Sequence, residues 1–136
     1  MNDLQQVSTG CVTEKQQAMR VVAEVCSVYP KRNEALINAG VLALSRETSR
    51  KFPGFGRVVD HTNWNVGRIS QEHGILCYEV SDASGTSEKV EECIEVGQKI
   101  MLHIQHACIT AAYYNQYYIV DDDDLVIDIW TPWKGW

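Results

Sequence analysis

The strongest candidate for chemistry is a pair of metal-binding side chains at the end of an apolar segment. The pair is His106 and Cys108, in the run that begins at His103. If the backbone stays extended there, the two side chains point to the same face and His103 to the opposite one, because side chains alternate along a strand. Imidazole and thiolate together suit a borderline cation such as zinc. An ordinary half-buried histidine and cysteine are the alternative.

Two ligands leave a zinc site incomplete. A structural zinc ion takes four protein ligands, so the pair predicts either a third ligand from elsewhere or an open position for water and substrate, as in catalytic zinc. A cupin-like site with three or four His and Glu ligands is not indicated. The remaining histidines do not have the spacing of such a motif: His61, His73 and His103.

Four consecutive aspartates, Asp121 to Asp124, are a second candidate for cation binding. They lack the spaced acidic and Asn positions, the glycine and the terminal glutamate of a calcium loop. Aspartate is also a favoured turn residue. We therefore interpret this run as a solvated turn.

Composition and charge narrow the classes of function. The 136 residues are 45% hydrophobic and 22% charged, which is typical of one globular domain. A formal net charge of −6 disfavours nucleic acid and anionic lipid as partners. The sequence contains neither an export signal nor a run of about eighteen apolar residues that could cross a membrane.

The five cysteines indicate a reducing compartment. They are odd in number, widely spaced and without a C-x-x-C pair, which argues against a disulfide framework. We expect a cytoplasmic location, with most cysteines buried as small apolar groups.

The hydrophobic pattern is mainly that of short strands. They are predicted within residues 16–30, 34–45, 57–60, 66–70, 74–80, 100–104, 117–120 and 125–130. Gly40 is expected to mark a bulge or a close backbone approach, with a helix as the competing interpretation of that segment. A short helical turn or a partly ordered excursion is predicted within 88–95. The fold class is therefore mainly β, either a barrel or a sandwich.

Four segments in the same order resemble one enzyme family. They are ALINAGVLALS, GRISQEHGIL, QHACITAAYYNQYYIV and DIWTPWKGW, and they are similar to the C-terminal β-domain of eukaryotic, fungal-type D-serine dehydratases. That family is grouped with the D-threonine aldolases among pyridoxal-phosphate (PLP) enzymes related in fold to alanine racemase. The resemblance runs from Asp3 to Trp136. It implies a β-barrel-like C-terminal domain of the alanine racemase type.

The resemblance implies a role for the His-x-Cys pair. In the family this pair holds zinc beside the cofactor, which makes His106 and Cys108 the zinc ligands by the match. The implied reaction converts D-serine to pyruvate and ammonia, with PLP as electron sink and zinc as Lewis acid on the β-hydroxyl. A D-threonine aldolase-like lyase is the alternative, although aldolases more often carry Asp where Cys108 stands. His73, in a segment that recurs in the family, is implied as a catalytic or supporting residue, or as a histidine that orders a turn.

The family's N-terminal part has no counterpart in these residues. Members begin with a β/α barrel that holds PLP on a lysine, and such a barrel takes about 250 residues. None of the six lysines here matches that lysine's sequence context, so covalent attachment of PLP is not expected. We expect residues 1–136 to be one domain of a longer enzyme, from a truncated gene, a split gene or an isolated domain, and inactive alone.

The expected partners follow from the same resemblance. The full-length enzyme would act on a small D-amino acid, and the face that meets the PLP barrel should be apolar. We therefore expect a homodimer or association with that barrel. The aromatic C-terminal third, which includes Tyr117 and Trp130, is expected in core and interface packing. A non-catalytic metal-binding or dimerising β-domain is the alternative description of the isolated chain.

Overall fold

Alternating apolar residues close six short antiparallel strands into a barrel in this computed structural model, which describes residues 1–79 and 88–134. The strands are β1 (Arg20–Tyr29), β2 (Glu34–Ile37), β3 (Gly56–Val58), β4 (Trp64–Ile69), β5 (Gly74–Tyr78) and β6 (Lys99–Ile104). Their order around the barrel is β1-β2-β5-β4-β3-β6, and β6 pairs with β1 to close it. The predicted mainly β class is confirmed, and the architecture is the barrel.

The barrel interior is filled by one face of each strand. Along β1, Val21, Ala23 and Val25 are buried and the residues between them are exposed, which is the period of two expected for a half-buried strand. Trp64 at the start of β4 is fully buried and packs edge-on against Tyr78, with ring centroids 5.4 Å apart. The core therefore lies inside the barrel.

Within the described residues, four short helices and one hairpin lie outside the barrel strands. The helices are α1 (Leu4–Ser8), α2 (Val41–Leu44), α3 (Val90–Cys93) and α4 (Ala107–Tyr113), and short 3-10 turns cover Glu14–Gln16 and Pro30–Arg32. Strands β7 (Tyr117–Val120) and β8 (Val126–Trp130) form a separate two-stranded sheet. The predicted hairpin and the helical turn within 88–95 are confirmed. No helix in the described ranges is long and apolar enough to cross a membrane.

The segment 34–45 differs from the predicted strand. Strand β2 ends at Ile37 and α2 begins at Val41, directly after Gly40. A Cβ atom on Gly40 would lie 2.3 Å from the backbone oxygen of Gln71, and the Val41 N–H donates to the carbonyl of Ser70 at 2.9 Å. The expected close approach at Gly40 is confirmed. A strand beyond it is wrong, because the chain turns there to pack against the β4–β5 turn.

Two predictions about individual residue types have opposite outcomes. The aspartate run is an exposed turn, in which the Asp121 carboxylate accepts the backbone N–H groups of Asp123 and Leu125 at 2.9 and 3.0 Å. All five cysteines are free, but none is fully buried. The expectation of mostly buried cysteines is wrong because three of them are exposed, as Cys26 is on the outward face of β1, and Cys77 and Cys93 are only half-buried.

Candidate functional site

The His-x-Cys pair lies at the junction of β6 and α4. His106 has an extended backbone (φ −138°, ψ 105°) and precedes the first residue of α4, whereas Cys108 lies in the first helical turn. The backbone is therefore not extended through Cys108, and strand alternation does not place the two side chains on one face. Ala107, Thr110 and Ala111 are buried at the i, i+3, i+4 spacing of a helix face, and this burial turns the chain into a helix. His106 is half-buried and Cys108 is exposed.

A buried carboxylate near the N-terminus fixes the start of α4. Oδ2 of Asp3 accepts the N–H of Ala107 at 2.8 Å, and its Oδ1 accepts the N–H of Gln6 at 3.0 Å. Asp3 is only 3% exposed. The same side chain therefore caps α1 and accepts the backbone N–H of Ala107, the residue between His106 and Cys108. Both hydrogen bonds are charge-assisted.

The residue before His106 is fixed as well. The amide nitrogen of the fully buried Gln105 donates to the carbonyls of Phe52 and Gly54 at 3.1 and 2.8 Å. Its backbone carbonyl accepts the N–H of Gln5 at 3.2 Å. Both flanks of His106 are thus attached to other parts of the chain, so the backbone that carries the imidazole is held in place.

Helix α2 connects α4 to the turn that carries His73. The Thr110 hydroxyl donates to the carbonyl of Leu44 at 3.0 Å, and the N-terminus of α2 is bonded to the β4–β5 turn through Ser70, as described above. His73 is exposed, and the bonds that order its turn run through its backbone, as when the Ser70 N–H donates to the His73 carbonyl at 2.8 Å. The structure therefore places His73 on an element adjacent to α2, and His106 and Cys108 at the β6–α4 junction.

His106 has a buried ring nitrogen that a metal ion could satisfy, and His103 has one as well. Nδ1 of His106 is buried and has no hydrogen-bond partner among the described residues. A buried polar atom without a partner is costly, and coordination of a cation, or a donor from another segment, would satisfy it. Together with the exposed Cys108 thiol, this donor set fits a borderline divalent cation with open coordination positions.

The third histidine of this region takes no part in the pair. His103 is 6% exposed and alternates along β6 with the inward-facing Leu102 and Ile104. Burial lowers the pKa of its imidazole below the usual range, and the nearby guanidinium of Arg20 lowers it further. These effects disfavour the charged form of His103, whose side chain lies on the face of β6 opposite Leu102 and Ile104.

Sequence reasoning missed a second group of metal-ligating residues. Nδ1 or Nε2 of His61, a carboxylate oxygen of Glu88 and Sγ of Cys93 all lie within 4.8 Å of one another. The three residues come from the loop after β3, the segment before α3 and the end of α3. Burial and then the Glu88 charge raise the pKa of the Cys93 thiol.

The lysines do not fit a covalent PLP site. A Schiff-base lysine is activated by desolvation or by a neighbouring cation. All six lysines are exposed, namely Lys15, Lys31, Lys51, Lys89, Lys99 and Lys134. The residues present therefore fit a metal ion at the β6–α4 junction and do not fit attachment of PLP.

Comparison with known sequences gives one family. A model described as "Putative serine dehydratase domain" matches residues 18–120. The D-serine dehydratase of Schizosaccharomyces pombe is 44% identical over 142 residues, and that of Saccharomyces cerevisiae is 38% identical over 146 residues. Both matches cover 100% of this chain and 32% of the relative. The chain thus spans about a third of the length of the curated relatives it matches.

Solved structures share the same barrel. An alanine racemase-like protein from Idiomarina loihiensis has a TM-score of 0.82 and 31% identity, and D-threo-3-hydroxyaspartate dehydratase from Delftia sp. HT23 has 0.83 and 26%. Each match covers 100% of this chain and 37% of the neighbour. The fold is therefore that of the C-terminal domains of alanine racemase-like proteins.

Two variants of the Delftia enzyme and one aldolase complete the comparison. The variants carry alanine in place of a cysteine and in place of a histidine two positions before it, and the cysteine variant is in the metal-free form. D-Threonine aldolase from Filomicrobium marinum is 24% identical with a TM-score of 0.66, over 85% of this chain and 28% of its own, and shares the fold alone.

Proposed function

Since the chain belongs to the serine dehydratase domain family, we propose that it is the zinc-binding C-terminal domain of a PLP-dependent D-serine ammonia-lyase, with His106 and Cys108 as the zinc ligands. The observation that carries the proposal is the His-x-Cys pair, in which His106 has a buried and unpartnered Nδ1. A cytoplasmic location belongs to the proposal and is supported by the five free cysteines.

The variants of the Delftia enzyme support the choice of ligands. The histidine and cysteine replaced in those variants are separated by one residue, as His106 and Cys108 are, and the structure of the cysteine variant is in the metal-free form. Zinc is the proposed ion because imidazole and thiolate are its usual ligands.

The proposed substrate class is small D-amino acids with a β-hydroxyl group. The two yeast relatives are named for D-serine, and the Delftia enzyme for D-threo-3-hydroxyaspartate. D-Serine ranks first because its dehydratases are the relatives with higher identity. A D-threonine aldolase-like activity is the second candidate, with support from the fold alone.

This chain's own part in the reaction is to hold and position the metal. When bound, zinc would stabilise the negative charge on the departing β-oxygen as a Lewis acid, while PLP supplies the carbanion chemistry. Asp3 and Gln105 keep the backbone on both sides of His106 in place through the bonds described above. His73 remains a proposed catalytic residue, because its exposed imidazole lies on the turn beside α2, where it is accessible to a substrate.

The isolated chain is proposed to be inactive and to need a partner surface. About two thirds of each yeast relative lies outside the match, and the proposed PLP lysine belongs to that remainder. The β7–β8 hairpin exposes large apolar side chains, with Leu125 at 63%, Ile127 at 65% and Trp130 at 58%. Such a surface fits either the PLP barrel or a second copy of the domain. A non-catalytic metal-binding or dimerising domain is the corresponding description of the chain alone.

A chimera tests the proposal. This chain replaces the matching third of the S. pombe D-serine dehydratase, and pyruvate release from D-serine is measured with PLP and zinc. We expect turnover by the chimera and none by the 136-residue chain alone. Cys108→Ala in the chimera should lose both the bound metal and the activity. Cys26→Ala, which removes another exposed thiol, should keep both.

The outcomes separate the alternatives. Cleavage of D-threonine with no pyruvate from D-serine would favour the aldolase. Full metal content and activity in the Cys108→Ala chimera would contradict the assigned ligand, and turnover by the chain alone would contradict its proposed dependence on a barrel domain.

A further inference from the structure

Three metal-ligating side chains from separate segments converge at a second place on the barrel. They are His61 in the β3–β4 loop, Glu88 before α3 and Cys93 at the end of α3, with ligand atoms within 4.8 Å of one another. Zinc bonds of about 2.0 to 2.3 Å place neighbouring ligand atoms about 3.3 to 3.8 Å apart on a tetrahedron. A contraction of about 1 Å, within the reach of side-chain rotation, would therefore bring these atoms onto one ion.

The position of Glu88 is determined from two sides. The indole Nε1 of the fully buried Trp64 donates to a carboxylate oxygen of Glu88 at 3.1 Å, which orients the carboxylate. The side chain of Asn33 donates to the backbone carbonyl of Glu88 at 2.9 Å and accepts the N–H of Val90 at 2.7 Å. Hydrogen bonds to a ligating carboxylate are the usual support of a metal site.

Cys93 and His61 are also held in place. Cys93 lies between α3 and the fully buried part of the core, next to Ile94, which is 2% exposed. Its thiol donates to the carbonyl of Lys89 at 3.2 Å. The carbonyl of His61 accepts the N–H of Trp64 at 2.8 Å, which fixes the loop that carries the imidazole. Both side chains are half-buried, so a bound ion would be partly shielded from water.

We propose that His61, Glu88 and Cys93 form a second site for a zinc-type divalent cation, with one coordination position left for water. Imidazole, carboxylate and thiolate are all zinc ligands, and three of them with one open position is a known coordination pattern. Burial and the Glu88 charge favour the protonated thiol in the absence of metal, so binding releases a proton from Cys93. The ion would join the β3–β4 loop to α3 and the segment before it. The proposal does not depend on the proposed enzymatic function.

The test uses the 136-residue chain with His106→Ala and Cys108→Ala, so that the first pair cannot bind. Cobalt(II) alone is the probe, followed by displacement with zinc. We expect one equivalent of cobalt with a thiolate-to-cobalt absorption band. Adding Cys93→Ser should abolish the band and weaken binding at least tenfold, whereas adding Cys77→Ser, another half-buried thiol, should leave both unchanged.

Variants of the other two ligands, with a check of their folding, distinguish loss of the site from loss of the fold. His61→Ala and Glu88→Gln should each weaken cobalt binding at least tenfold while the far-ultraviolet circular dichroism stays that of the parent. Absence of cobalt binding in the double variant, or a band that survives Cys93→Ser, would overturn the proposal. Loss of metal only from His106 and Cys108 variants would overturn it too, and would leave the proposed function intact.

Discussion

At the residue scale, one buried carboxylate determines where the His-x-Cys pair lies. Asp3 lies outside the residues 18–120 that define the family match, yet it holds the first residue of α4. The segment before the matched residues therefore positions the backbone of the proposed metal site.

We predict that Asp3→Ala lowers the free energy of unfolding by about 2 to 3 kcal/mol, because two backbone N–H groups lose a charged and buried acceptor. Urea unfolding measures this change. Asp122→Ala is the control, since Asp122 is exposed in the β7–β8 turn and its loss should stay within about 0.5 kcal/mol. Zinc affinity should also fall for Asp3→Ala. Equal stability of the two variants would show that the cap at α4 is not needed.

The buried His103 gives a prediction about pH. Burial and Arg20 lower the pKa of its imidazole, with Arg57 adding to the effect and Glu14 and Asp60 opposing it. The unfolded chain then binds a proton at His103 more readily than the folded chain, so stability falls as the pH drops through about 6.5 and below.

The measurement is the free energy of unfolding in urea between pH 7.5 and 5. His103→Gln should reduce the slope of stability against pH, even if it also lowers the stability itself. His73→Gln, which removes an exposed histidine, serves as the control for losing an imidazole. A slope that is the same in the parent and in His103→Gln would contradict the assignment.

At the element scale, the close approach at Gly40 positions α2 between the β4–β5 turn and α4. We predict that Gly40→Ala destabilises the fold by about 3 kcal/mol or more, because the added Cβ overlaps a backbone carbonyl that cannot rotate away. Gly97→Ala separates sterics from backbone strain. Its Cβ meets nothing within 4 Å at a φ of +84°, so only about 1 to 2 kcal/mol is expected. Thermal unfolding of both variants measures this difference. Equal destabilisation by Gly40→Ala and Gly97→Ala would contradict the steric overlap at Gly40.

The elements that sequence reasoning found are those with local signals. The alternation in β1 and the apolar hairpin strands can be read without knowing their partners. Helix α4 was missed because its apolar residues continue those of β6, although the i, i+3, i+4 spacing of Ala107, Thr110 and Ala111 carries a helical signal. Helix α1 also had one, since Asp3 is followed by Gln6 at the spacing of a capping box.

The two candidate sites also differ in whether a local sequence signal reveals them. The proposed ligands His106 and Cys108 are near in sequence, so spacing and the family resemblance are enough to propose them. His61, Glu88 and Cys93 meet only because the barrel closes, and closure depends on pairs such as Glu24 with Lys99 that are 75 residues apart. A pattern read over short windows does not contain such contacts.

At the scale of the whole molecule, the apolar hairpin predicts association. We expect the 136-residue chain to self-associate in sedimentation velocity at micromolar concentration, because its C-terminal sheet exposes large apolar side chains. Ile127→Lys should weaken association at least tenfold.

Val22→Lys is the matched control, since Val22 is 62% exposed on the barrel and Ile127 is 65% exposed on the hairpin. It should associate like the parent if the hairpin is the interface. A parent chain that stays monomeric at high concentration would contradict the prediction that the hairpin mediates self-association.

The closed barrel has one more consequence. Every barrel strand has a neighbour on both sides, whereas β7 and β8 pair only with each other within the described residues. Each hairpin strand therefore keeps one edge of unpaired backbone N–H and C=O groups. An extended segment of any sequence can add to such an edge through its main chain. The barrel offers no such edge. Strand addition, and fibrous aggregation through it, should therefore involve only the edges of β7 and β8.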